Sequence, residues 1–279
     1  RFGMTKRSAT PKRDSVFEIS QHRFQRGQRE LVILELLFRD PETRNSFSVE
    51  NALELGRILK AHAKVDGLLL RAEGRVFCSG GNLKDHLRLG KTKSLKANRD
   101  ITKVLSQLEQ FEAPTVVLVE GDVFGGGLEW LSAFDLVFAT PHTHLGFWQR
   151  KMGLIYGWGG GARLAKRVGA KATSRFGIEM KSLTGREAFA CGLVDRIVAP
   201  WSARPEALAA VLRLASLPRR SVAAFKRADY VKSEQREFAK LWFGPDHQDR
   251  LAQFAVHKRE DQPNAKEFQS KRREAKKRS

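Results

Sequence analysis

Two spacings of hydrophobic residues run through the chain. Short apolar runs bounded by turn residues occur at 16–20 (VFEIS), 31–38 (LVILELLF), 66–74 (DGLLLRAEG) and 114–121 (PTVVLVEG), and each predicts a strand. Residues 134–147 (FDLVFATPHTHLGF) read as strand and loop, and 40–47 (DPETRNSF) as a loop. In 48–64 (SVENALELGRILKAHAK) the residues Leu53, Leu55, Ile58 and Leu59 recur near helical spacing behind Ser48, a predicted N-cap. Residues 75–89 (RVFCSGGNLKDHLRL) predict a strand end, a Gly-Gly turn and a helix opening after Asn82, with a basic helical stretch on to Phe111. Residues 157–178 are a glycine-rich helix start, and 184–198 open with Thr-x-x-Glu, a capping-box pattern, before a helix, Gly192 and a strand. After Pro200 the pattern is helical to about Arg259, with a break near FGPDHQ. Strands alternating with helices predict an α/β fold with mostly parallel pairing and an α-rich appendage. The expected organisation is a basic disordered tail at 1–14, a core at 15–200, a helical region at 201–259 serving as lid or oligomerisation element, and a second basic tail at 260–279.

Composition narrows this. With 279 residues, 41% of them hydrophobic, the chain can bury one sizeable core. No stretch approaches the roughly 18 unbroken apolar residues that span a bilayer, and Glu35 interrupts the greasiest run. The start, RFGMTKRSATPKRD, lacks the apolar segment of a secretory signal; its Arg, Lys and Ser content leaves an organelle-targeting reading open, and Met4 is the expected native start. Two cysteines, Cys78 and Cys191, suit a reducing, cytoplasmic setting. The net charge is +20, of which residues 1–14 supply +4 and residues 257–279 supply +5. The bland account is solvated tails; the functional one is an anionic partner, either nucleic acid or a ligand bearing phosphates.

Two places share one design. At Gly80–Gly81 and at Gly125–Gly126–Gly127 a hydrophobic strand ends in glycines and a helix begins. The first N–H groups of a helix have no intrahelical partner, and glycine lets a ligand oxygen approach them. Two such groups converging on one oxygen would make an oxyanion hole. Either turn alone is better explained as an ordinary turn-and-cap glycine.

Together, RVFCSGGNLKDH, VEGDVFGGGLEW, GLIYGWGGGARL and GREAFACGLVDRIV, in this order and spacing, resemble the crotonase superfamily of enoyl-CoA hydratases and isomerases. DPETRNSF near the start, and SLPRRSVAAFK and PDHQDRLAQF near the end, extend the resemblance over roughly residues 16 to 255. It implies a spiral of ββα units with a C-terminal helical region, and trimers or dimers of trimers. It also implies an acyl-CoA thioester as substrate, with coenzyme A as part of that substrate and no separate cofactor. By matching motif, the oxyanion hole would be the N–H groups of Gly81 and Gly126, with Cys78, Gly80, Asn82 and Gly125 around them. Glu129 matches the first catalytic glutamate of family hydratases; the plain alternative is an acid in a helix first turn. The second catalytic glutamate falls at Gln149, in LGFWQRKMG. An amide cannot exchange a catalytic proton at pH 7. Hydration of an enoyl-CoA is the family default; isomerisation or decarboxylation through the same enolate needs at most one titrating carboxylate.

Of the cations at 84–103, Lys84 is placed best for the phosphates of coenzyme A, and Lys226 matches a lysine that family members supply from the C-terminal region. Trp130, Trp148 and Trp158 flank pocket segments. Core packing is their first reading and narrowing of the acyl pocket the alternative. His86 reads as a surface helix residue, and His142 and His144 as loop residues rather than zinc ligands. Two further function classes stay open: an RNA-binding homologue, weakened because 84–103 contain no aromatic residue, and a catalytically weak acyl-CoA binder.

Overall fold

The computed structural model describes residues 15–27, 29–217, 222, 226, 242–244, 248, 251 and 252, without the side chains of Asp85 and His86. Both expected tails and most of the 201–259 helical region lie outside the described residues.

The chain opens with two antiparallel strands, β1 (Phe17–Arg26) and β2 (Arg29–Phe38), longer than the apolar runs that predicted them. Helix α1 (Val49–Ala61) follows, and the Ser48 side chain accepts from the N–H of Asn51 as its cap. Three successive units then repeat one plan. The first is β3 (Gly67–Ala72), β4 (Val76–Cys78) and α2 (Leu83–Glu109), the last kinked at Gly90. The second is β5 (Thr115–Val119), β6 (Asp122–Phe124) and α3 (Gly126–Leu131). The third is β7 (Leu136–Ala139), β8 (His144–Gly146) and the helix pair α4 (Gly160–Val168) and α5 (Ala170–Glu179). The helical pattern read through 157–178 breaks at Gly169, whose φ of 84° stops α4. Then come β9 (Ser182–Thr184), α6 (Gly185–Ala190), β10 (Arg196–Ile197) and α7 (Ala203–Ala215). The capping box at Thr184 forms as predicted, with Glu187 answering it.

Each unit gives its first strand to one sheet and its second to another. The large sheet has the order β1-β2-β3-β5-β7-β10, and the small sheet β4-β6-β8-β9. From β2 to β10 the large sheet is parallel, and so is β4-β6-β8. This is the ββα spiral that the resemblance implied. Strands β3 and β5 are almost wholly buried, which is why their sequences read as unbroken apolar runs. One core cluster fills the space between the sheets and α1–α4; a second, from Ile33, Leu69, Val116, Leu118 and Phe138, lies under α7. Among the described residues, no helix is long and apolar enough to cross a membrane.

Candidate active site

Because β4, β6 and β8 run parallel and adjacent, their C-terminal ends lie side by side. The motif after each strand is thereby gathered: Gly80–Gly81 after β4, Gly125–Gly127 after β6, Trp148–Gln149 after β8.

The first turn is fixed by backbone alone. Gly80 takes φ +97°, a conformation open to glycine, and its carbonyl accepts from the N–H of Phe47 at 2.8 Å. The N–H of Gly81 belongs to the same trans peptide unit and so points the opposite way. A β-carbon on Gly80 would lie 3.0 Å from the Phe124 carbonyl oxygen and 3.5 Å from the Gly126 nitrogen. The two glycine turns therefore touch. Gly125 takes φ 52° and ψ −118°, and its N–H donates to the Gly146 carbonyl at 2.9 Å. Gly126 begins α3, so its N–H has no acceptor within that helix. Both Gly81 and Gly126 are half-buried, reachable by a ligand.

Glu129 lies one helical turn beyond and faces inward, 2% exposed. Its carboxylate is crowded with donors. The N–H of Gly157 reaches Oε1 at 3.1 Å and Oε2 at 3.0 Å, and the N–H groups of Trp158 (2.7 Å) and Gly160 (3.2 Å) reach Oε2. Gln149 Nε2 adds a long contact of 3.4 Å to Oε1. The acceptor therefore sits at the N-terminus of α4, where the helix dipole favours an anion. Gly160 must be glycine for this, since a β-carbon there would lie 2.3–2.4 Å from the Glu129 side chain.

The Glu129 contact to Gln149 orients the amide. Nε2 turns to the carboxylate, and Oε1 is left buried with no hydrogen-bond partner among the described residues. Trp148 stacks on Phe124, with ring centroids 4.0 Å apart, and Lys151 sits 3.8 Å over the Trp148 ring. Trp158 lies against the Gly126 turn itself: a β-carbon on Gly126 would meet its ring at 2.4–2.5 Å. Trp130 is core, stacked on Phe47.

The remaining predicted residues divide. The Cys78 side chain is buried beneath Gly127, and burial pushes its thiol up to about 12, against smaller opposing hydrogen bonds with the Gly80 and Phe47 backbone. It packs the turn from below and is neutral at pH 7. Asn82 caps α2, its Oδ1 accepting from the N–H of Lys84 at 3.1 Å, and Lys84 is exposed on the first turn of that helix. Lys226 is buried elsewhere. Its Nζ donates to the carbonyls of Phe111 (2.6 Å) and Ala113 (2.9 Å) and pairs with Asp135 at 2.7 Å. Those three oxygens use all three ammonium protons, so in this arrangement Lys226 is held by its own chain. His144 pairs with Asp122 at 3.1 Å, and no metal-type cluster occurs among the described residues.

Sequence reading missed the residues that hold the 157–160 turn. Asn98 Nδ2 donates to the Gly157 carbonyl at 2.7 Å. Arg163, 4% exposed, donates to the carbonyls of Trp158 (2.7 Å) and Glu129 (3.2 Å) and to Ser132 Oγ (3.1 Å). The only local signal was an arginine one turn inside a glycine-rich helix start.

Comparison with known proteins agrees with this architecture. The chain is similar to an enoyl-CoA hydratase from Bacillus halodurans, with 21% identity, a TM-score of 0.69, and coverage of 83% of this chain and 98% of the other. An enoyl-CoA hydratase/isomerase from Pseudoalteromonas atlantica T6c has 23% identity and a TM-score of 0.68, with coverage of 85% and 97%. A methylmalonyl-CoA decarboxylase in complex with 2-nitronate-propionyl-CoA has 16% identity and a TM-score of 0.71, with coverage of 85% and 95%. At these identities the likeness speaks for the fold. The sequence model of enoyl-CoA hydratase/isomerase proteins matches residues 28–273, nearly the whole chain, and the protein belongs to that family.

Proposed function

We propose that this protein acts on acyl-CoA thioesters through an enolate held by the N–H groups of Gly81 and Gly126, and that its reaction is decarboxylation of a 2-carboxyacyl-CoA. The observation that carries the choice of reaction is the state of Glu129. A carboxylate has about four lone-pair sites, and backbone N–H groups and Gln149 already fill them. To act as a base, Glu129 would have to abandon the turn it supports. Gln149 supplies no second base.

Decarboxylation needs none. The bond between the α-carbon and the carboxylate breaks, and its electron pair enters the enolate of the thioester. Carbon dioxide leaves, the α-carbon takes a proton from water, and the hydroxide left behind combines with carbon dioxide as bicarbonate. Two fixed donors stabilise the enolate oxygen, each worth about 3–4 kcal/mol in comparable sites. Gln149 Oε1, buried and turned away from Glu129, accepts from the water that delivers the proton. Lys84 and its neighbours on α2 hold the phosphates of coenzyme A.

Hydration is the second reading, favoured by the family description. It requires Glu129 to be released and to deprotonate water. Offering the protein malonyl-CoA, methylmalonyl-CoA and crotonyl-CoA in parallel separates the two. Loss of carbon dioxide from the first pair without hydration of the third supports our reading, and hydrated crotonyl-CoA with intact malonyl esters overturns it.

A further inference from the structure

The indole of Trp158 occupies the side of Gly126 where any other residue would carry its β-carbon, with ring atoms 2.4, 2.5 and 3.0 Å from that position. The ring thus lies beside the N–H assigned to the thioester oxygen. A thioester whose carbonyl oxygen takes that N–H has this ring as a neighbour on one side.

The ring is also unable to swing aside cheaply. The N–H of Trp158 donates to the Glu129 carboxylate at 2.7 Å, and its carbonyl accepts from Arg163 at 2.7 Å. The carbonyl of the preceding residue, Gly157, accepts from Asn98 at 2.7 Å. The side chain is 6% exposed, and its ring meets Phe47 edge-on at 5.8 Å. Phe47 in turn stacks on Trp130 and meets Phe38, so the wall behind Trp158 is solid aromatic core. Charge-assisted bonds at the backbone and close packing at the ring fix it from both ends.

We infer that Trp158 is the specificity-determining residue of the site, a fixed wall that admits short acyl groups and excludes long ones, with Glu129 the positioning residue that holds it. The substrate class is a coenzyme A thioester with a small 2-carboxyacyl group. This inference rests on the acyl-CoA reading above.

Calorimetric titration with acetyl-, butyryl- and octanoyl-CoA tests it, on the wild type, Trp158→Ala and Trp158→Leu. Two variants are used because the alanine cavity is large; thermal melting confirms that at least one is folded. Pocket walls discriminate by about tenfold or more for small changes in apolar bulk. The wild type should therefore bind butyryl-CoA at least about tenfold tighter than octanoyl-CoA, and the folded variant should lose or reverse that order. A wild type that binds all lengths alike, or a variant with the wild-type order, overturns the wall. A wild type that binds no thioester overturns the acyl-CoA reading itself, and the wall with it.

Discussion

Glu35 and Glu129 are both buried carboxylates, 3% and 2% exposed, and they are neutralised in opposite ways. Glu35 sits on β2 among side-chain cations. His22 Nε2 lies 2.6 Å away, Arg71 Nε 2.7 Å, and Arg204 gives two contacts of 2.8 Å. Burial opposes ionisation of Glu35, but the hydrogen bonds from His22, Arg204 and Arg71 outweigh it and hold its pKa well below the ordinary carboxylate range. Glu129 is surrounded instead by backbone N–H groups of one glycine-rich turn. The first arrangement ties β1, β2 and β3 of the large sheet to α7. The second fixes the backbone of a few residues beside the glycine turns. A side-chain cage serves the fold as a whole, while a backbone cage sets the shape of the turn that supplies it.

The largest effect should come from breaking the first cage. Glu35→Ala leaves the Arg71 and Arg204 guanidiniums without the carboxylate they share, which should cost about 3–5 kcal/mol in denaturant unfolding at pH 7. The folded-state pKa of Glu35 is depressed, so its contribution is present above the unfolded value near 4.3 and is lost as pH falls toward the folded one. The gap between wild type and Glu35→Gln should therefore shrink as pH drops below about 4. A gap that stays constant from pH 7 to pH 3 would mean the carboxylate charge does not hold this junction.

Breaking the second cage should cost less stability. Glu129→Gln turns one oxygen into a donor against the N–H groups of Gly157, Trp158 and Gly160, a loss of about 1–3 kcal/mol. Its diagnostic is kinetic: if the reaction is the proposed decarboxylation, the variant should keep the wild-type pH profile, since no proton passes through this group. Disappearance of a pH limb in the variant would make Glu129 an acid or base after all. Gly160→Ala attacks the same cage by crowding rather than by charge and should cost about 1–3 kcal/mol, because the rigid backbone of α4 cannot retreat from the Glu129 side chain.

The comparison also explains what the sequence made visible. Glu129 was legible because its glycines and its carboxylate sit within five residues of one another, so that one short motif carries both. Glu35 showed only as an interruption of an apolar run, since its partners lie 13, 36 and 169 residues away. The long elements followed from the pattern, β2 from an apolar run and α1 from helical spacing. The strands that build the site showed no period, because β4, β6 and β8 have three residues each. Gln149 does reach Glu129, by a contact of 3.4 Å, but the donors that occupy Glu129 come from a turn 28 to 31 residues further on. Motif matching could place the carboxylate and could not say what already binds it.

The smallest predicted effect concerns Cys78. With its thiol pushed up to about 12 and its side chain buried, it should resist alkylation at pH 8 in the folded protein and react only on unfolding, whereas half-buried Cys191 should react first. Peptide mapping after a timed pulse of iodoacetamide reads both sites at once. Rapid modification of Cys78 would mean that the turn above it opens.

The central claim is that the site forms an enolate without a carboxylate base. Its most direct measurement is the stoichiometry of carbon dioxide released from methylmalonyl-CoA by wild type and by a folded Glu129→Gln variant, with crotonyl-CoA hydration followed in the same preparations. The account predicts one carbon dioxide per thioester in both proteins and no hydration in either. Hydration by the wild type that vanishes in Glu129→Gln, with the malonyl ester untouched, would contradict it.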